Sequence, residues 1–197
     1  METQIPLEQG NFISIENQSA NEFAPGSSVI YAMYGKCFIQ TIETRQINGE
    51  TIRFYKLEIQ KSALSRSTKQ EPAIWLPVKS ARDRGLRSPM NQSDAEAALA
   101  ILSSREYYFP LNENWHSVFP KLENSIRTEG SIGLAKVASY LYVLKKKQIV
   151  SANETIKFDE HVRKLLMREL SDALGESSKI LEEQINKGFR QKLIPDT

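Results

Sequence analysis

Two periodicities divide the chain. From Pro25 to about Arg87 apolar and polar residues tend to alternate. Tyr55, Leu57 and Ile59 are separated by Lys56 and Glu58, the period-two pattern of a strand with one buried face. Ser28-Val29-Ile30-Tyr31, Cys37-Phe38-Ile39-Gln40-Thr41-Ile42 and Ala73-Ile74-Trp75-Leu76 are further β-prone runs, the last closed by Pro77, which suits a strand end or an edge strand. Asn48-Gly49 predicts a tight hairpin, because both residues tolerate positive φ and that turn matches strand twist. Together these runs predict a small antiparallel barrel of the SH3 or Tudor kind over residues 25–90. Inside it, Lys61–Pro72 is a polar insert, generous for a hairpin loop and expected to act as a mobile flap. Ser80–Arg87 is a short basic connection.

Beyond residue 90 the period becomes helical. Ser93-Asp94-Ala95-Glu96 reads as a capping box, with Ser93 and Glu96 satisfying the free amides of a helix start, and Ala95, Ala98, Leu99 and Leu102 share one stripe. Tyr107-Tyr108-Phe109-Pro110 ends that helix. The next runs from Trp115 to about Thr128 with Phe119, Leu122 and Ile126 at helical spacing, and Pro120 is expected to displace or kink its first turns. A third, over about 132–148, buries Leu134, Ala135, Ala138, Leu141 and Tyr142 and ends in Lys145-Lys146-Lys147, which complement the helix dipole. Ser151-Ala152-Asn153-Glu154 predicts a second capping box and a long helix with Ile156, Val162, Leu165, Leu166, Leu170 and Leu174 inward, stopped at Gly175. The expected class is α+β: a flexible tail over 1–24, the barrel over 25–90, an all-α domain over 91–175, and a loosely attached final helix and tail over 176–197.

Composition narrows the chemistry. Residues 1–90 carry 11 Lys/Arg against 9 Asp/Glu, and residues 91–197 carry 15 against 15. No general basic field exists to attract polyanions, so any nucleic-acid contact must be local and geometric. The one cysteine, Cys37, cannot form an internal disulfide and reads as a small apolar strand residue. No leader pattern or membrane span is seen, which makes a cytoplasmic location the expectation.

His116 and His161 lack zinc-site spacing, and no nucleophile triad or glycine-rich phosphate loop stands out, which argues against an enzyme. Trp115, beside Asn114, carries two readings from its residue type alone. An indole at a helix start is either core packing or a flat surface for stacking on a nucleic-acid base.

In order and spacing, Gly26, Val29-Ile30-Tyr31, Gly35, Ile42-Glu43-Thr44-Arg45 with Gly49-Glu50, Leu76-Pro77 and Gly85-Leu86-Arg87 resemble the RNA-polymerase-interacting domain of the CarD/CdnL family. The same kind of domain occurs in transcription-repair coupling factors, whose GxxxxGK[ST] motor loop is missing here. Asn114-Trp115, Leu134-Ala135-Lys136-Val137-Ala138, Leu141-Tyr142, Val150 before Ser151-Ala152-Asn153-Glu154, and Glu169-Leu170 resemble that family's helical domain, so the likeness spans about residues 25–175.

The resemblance implies a bacterial, non-catalytic transcription regulator that joins the nucleoid through RNA polymerase, with no cofactor, metal, small-molecule ligand or membrane. Its barrel would dock edge to edge on the polymerase β subunit through Arg45, Thr44, Ile74 and Trp75. Its helical domain would meet promoter DNA at the upstream edge of the bubble, where Trp115 wedges into the minor groove and stabilises the open complex. Asn114, Lys121, Arg127, Lys136, Lys145 and Lys146 are the candidate DNA contacts beside it. The chain departs from the family in three places: Trp75 stands where a second basic residue is common, Ala32 where proline is usual, and His116-Ser117-Val118 follows Trp115 where the family has an arginine pair. Two other readings follow from the same residues: a polymerase-binding adaptor without DNA action, and a peptide-binding SH3/Tudor-type module.

Overall fold

The computed structural model describes residues 22–60, 73–147 and 153–192, without the side chains of residues 154, 191 and 192. Most of the expected tail, the Lys61–Pro72 insert and the Ser151-Ala152 half of the second capping box lie outside the described residues. The architecture is α+β, a barrel-like antiparallel sheet followed by five helices.

Strands β1 (Ser28–Tyr31), β2 (Gly35–Ile47), β3 (Glu50–Ile59), β4 (Ile74–Pro77) and β5 (Leu86–Arg87) form one sheet in the order β4-β3-β2-β1-β5. The sheet is open, with β4 and β5 at its edges. Asn48 and Gly49 turn β2 into β3 with φ of 53° and 84°, as the hairpin expectation requires. A register shift between Ile39 and Thr41 re-aims the far half of β2. Val29, Cys37, Ile39, Tyr55, Leu57, Leu76 and Leu86 make the sheet's own core.

Helices α1 (Gln92–Ser103), α2 (Trp115–Glu129), α3 (Ser131–Lys146), α4 (Asn153–Leu174) and α5 (Ser178–Lys192) share a second core. Helix α3 is its centre, buried along most of its length. Gly130 alone joins α2 to α3. Its φ of 62° suits glycine, and a Cβ there would meet Arg87 Cδ at 2.8 Å. At Gly133 the two helices cross so closely that a Cβ would sit 2.1 Å from Ser125 O.

Three expectations are corrected here. Helix α1 is capped by Asn91, whose side chain accepts from Asp94 N while Asp94 reaches back to Asn91 N, so the box lies two residues before Ser93. The choice is made by burial: with Asn91 as cap, Met90 and Ala95 form a buried hydrophobic pair across the helix start, whereas a Ser93 cap would place exposed Ala97 there. On α4, Ile156 points outward at 48 % exposure, and Thr155, Asp159, Val162, Leu166 and Leu170 take the buried stripe, with half-buried Phe158 beside it. Helix α5 is not loosely attached: Leu181, Ile185 and Phe189 are buried in the common core, and Phe189 stacks on Tyr142 at 4.0 Å between ring centroids.

The sheet and the helices are joined through α4. Arg87 on β5 donates to Glu169 at 2.7 Å, Lys36 on β2 pairs with Asp172 at 2.7 Å, and Arg168 donates to Gln60 O at 3.1 Å. His161 bonds Met33 O at 2.7 Å, and the Met33 side chain packs on the helical core. Gly35 has φ of 75°, and a Cβ on it would strike Leu165 Cδ2 at 2.7 Å. No helix among the described residues is long and apolar enough to cross a membrane.

Candidate functional site

The outer face of the sheet is set by strand alternation. Lys56 lies opposite both Thr41 and Trp75, Phe54 opposite Glu43 and Pro77, and Arg45 opposite Ile52, so these side chains share the side away from the barrel core. Arg45 closes the group: its guanidinium lies 3.6 Å from the Trp75 ring centroid and 6.0 Å from that of Phe54, and 3.4 Å from Glu43. Lys56 Nζ lies 5.5 Å from the same indole. A guanidinium over a half-buried indole contributes roughly 0.5–1 kcal/mol or somewhat more and, more usefully, holds both groups in one orientation.

Trp75 therefore seats Arg45 where a second positive charge would have repelled it. Thr44 alternates to the other face, and Ile74 packs against the barrel core. Of the four sequence-predicted docking residues, the structure brings Arg45 and Trp75 together, while Ile74 offers its backbone on the β4 edge. No other described strand pairs with that edge.

Trp115 is the first residue of α2. Asn114 caps the helix by accepting from Ser117 N at 2.9 Å, and the first turn contains no acidic residue. Pro120 lies within α2, which continues through it to Glu129. The loop before the helix is tied down on α3, where Tyr140 donates its hydroxyl to Pro110 O at 3.0 Å and meets Phe109 edge-on. Burial raises the Tyr140 pKa, and the nearby Glu113 charge adds to the rise. The half-buried indole of Trp115 leans on two further rings, Phe119 at 5.3 Å and Phe158 at 5.8 Å, which are themselves 5.0 Å apart. This three-ring seat was missed in the sequence because α4 was phased on Ile156. The spacing Phe158, Val162, Leu166, Leu170 carried the signal.

The basic candidates do not gather around the indole. Lys121 pairs with Glu113 at 2.7 Å and Lys136 pairs with Glu129. For Glu129, burial pushes the pKa up, but hydrogen bonds from Lys136 and Ser125 outweigh it and hold the carboxyl low. Arg127 donates to Asp83 O at 3.2 Å and to Asn124 at 2.6 Å, near the far end of α2. That end is about 21 Å from Trp115 at 1.5 Å per residue. Lys145 sits 3.8 Å from Asp159, the neighbour of Phe158, and Lys146 lies 5.7 Å from the Tyr142 ring. Lys145 is therefore the one linked to the aromatic seat through α4.

The matched family fits the barrel. Residues 23–83 match the CarD-like/TRCF RID domain. The match covers β1 to β4 and stops before β5 and the helices. It makes this segment an RNA-polymerase-interaction domain and supports a transcription factor, from a domain family that is not catalytic. Arg45 and Trp75 both fall inside the RID segment, whereas Trp115 and its seat lie outside it. No curated protein matches the chain.

Proposed function

We propose that this chain is a non-catalytic transcription regulator that docks on the RNA polymerase β subunit through the β4 edge and the Arg45–Trp75 face. In this reading, Trp115 lies against promoter DNA at the upstream edge of the bubble and slows bubble collapse. The observation that carries the DNA half is the position of Trp115: half-buried on Phe119 and Phe158 at the N-terminus of a capped helix. Free amides of that first turn favour phosphate, and Lys121 neutralises Glu113, the one acid directly before it. An indole replacing lost stacking at an opened step is worth about 1–3 kcal/mol.

One observation favours an adaptor without DNA action: Lys121 and Lys136 already hold carboxylate partners, leaving few cations for phosphates. Both readings share the docking face. Capture of the polymerase β subunit by the full chain tests it. Arg45→Glu, which sets a second carboxylate beside Glu43, and Trp75→Ala are both expected to abolish capture, while Trp115→Ala keeps it. Undiminished capture by Arg45→Glu and Trp75→Ala would contradict the docking face.

A further inference from the structure

Between the barrel and α2 lies a feature that neither role uses. The 3₁₀ turn Ala32–Tyr34 lifts Tyr34 onto Tyr31, the two rings lying 5.1 Å apart and only 4° from parallel. Tyr34 is 55 % exposed although one face of its ring is covered, so the other face is open to water. Ala32 holds this turn at φ of 36°, a left-handed conformation that costs a non-glycine residue roughly 1–2 kcal/mol.

The strained turn is fixed from both sides. Ala32 donates its N–H to Gly85 O at 3.0 Å, and Met33 O accepts from His161 Nε2 at 2.7 Å. The surface is therefore held in place before anything binds.

Beside it opens a cleft of about 550 Å³ between this turn and the Pro120–Arg127 face of α2. One arginine, Arg127, lines it. Among the described residues Arg127 donates to two neutral acceptors, Asp83 O and Asn124 Oδ1, and its Cγ would lie 3.2 Å from a Cβ on Gly85, the residue that bonds Ala32. Burial raises the Tyr31 phenol pKa, and Tyr34 adds to the rise. Glu123 on the cleft wall is the opposing charge. At its other end the cleft reaches Pro120, next to Phe119 of the Trp115 seat.

We propose that this cleft is a second nucleic-acid site, which stacks an unpaired base of single-stranded DNA on Tyr34 and holds the adjoining phosphate on Arg127. The choice of DNA rests on the promoter reading of the adjacent Trp115 seat. The stacking surface and Arg127 stand without it. A parallel aromatic surface accepts any base, so the site reads strand separation and not sequence.

The test is fluorescence anisotropy of a short labelled oligothymidylate with the full chain. Because the assay contains no polymerase, its failure leaves the polymerase reading untouched. Tyr34→Ala is expected to weaken binding by about 5- to 150-fold, the equivalent of one base–aromatic stack. Tyr34→Phe keeps the ring and the affinity, and so separates stacking from a folding defect. Glu123→Gln tightens binding, and Arg127→Gln lowers the slope of log affinity against log salt by about 0.7. Absence of binding, equal affinity for duplex of the same sequence, preference for the matching RNA, or unchanged affinity in Tyr34→Ala would each overturn the proposal. Loss in Trp115→Ala without loss in Tyr34→Ala would also overturn it while leaving the Trp115 seat standing.

Discussion

Ala32 shows how a single residue records a local choice of backbone. The family resemblance leads one to look for proline after Tyr31, yet the position needs φ of 36° and an N–H for Gly85 O. Proline supplies neither. Ala32→Gly should stabilise the fold by about 0.5–1 kcal/mol, the left-handed strain relieved less the added chain entropy. Ala32→Pro should destabilise it by about 3 kcal/mol or more. Denaturant midpoints of the two variants check both signs. Cys37 is sealed in the barrel core, where burial pushes its thiol up to about 11, so alkylation at mildly alkaline pH should await unfolding. Equal alkylation of native and unfolded chain would contradict that placement. The burial of Cys37 was legible from residue type, but the left-handed backbone at Ala32 was not, because alanine carries no signal for it.

At the scale of elements, what the sequence made legible followed from how many signals agreed. β3 had period-two alternation and led out of the Asn48-Gly49 turn, while β1 and β4 were β-prone runs, β4 closed by Pro77. Helix α1 starts two residues before the Ser93 box read from the sequence, because burial of Met90 favours the Asn91 cap. Helix α4 turns away from the phase read from the sequence because the three-ring seat draws Phe158 inward in place of Ile156. Helix α5 carries only Leu181, Ile185 and Phe189 as buried apolar residues, a narrow stripe that reads as weak attachment until its close approach to α1 is seen. There, a Cβ on Gly188 would lie 2.6 Å from Ser103 Oγ.

Gly133 offers the sharper test of helix packing. Alanine in a helix gains about 1 kcal/mol of propensity over glycine, but its Cβ would fall 2.1 Å from a backbone oxygen of α2 that cannot step aside alone. Gly133→Ala should therefore lower stability by about 1–3 kcal/mol, read as a reduced thermal midpoint. A raised midpoint would show that the crossing is looser than described.

For the whole molecule, the question is how the docking sheet and the Trp115 seat act as one body. The main link is α4, which supplies Phe158 to the seat, His161 and Leu165 to the sheet's first turn, and Glu169 to Arg87, and Arg127 of α2 adds a bond to Asp83 O. Glu169 is buried, and burial raises its pKa against the lowering effect of Arg87. Its protonated form therefore favours the fold: the associated stability is present below the ordinary carboxylate range and is lost as pH rises through the raised pKa. Glu169→Gln should remove that pH dependence. Glu169→Ala, which strands Arg87, should cost about 1–3 kcal/mol. Equilibrium unfolding across the acid range measures both. None of this joint was legible in the sequence, because Arg87 and Glu169 lie far apart along the chain and each looks like an ordinary surface charge.

The most direct test of the central claim is the lifetime of the promoter open complex formed by the cognate polymerase, with the wild-type chain and with Trp115→Ala. The account predicts that the wild type lengthens it and that Trp115→Ala, while still capturing the β subunit, shortens it again by about 5- to 150-fold or to the factor-free value. Equal lifetimes with wild type and Trp115→Ala would contradict it.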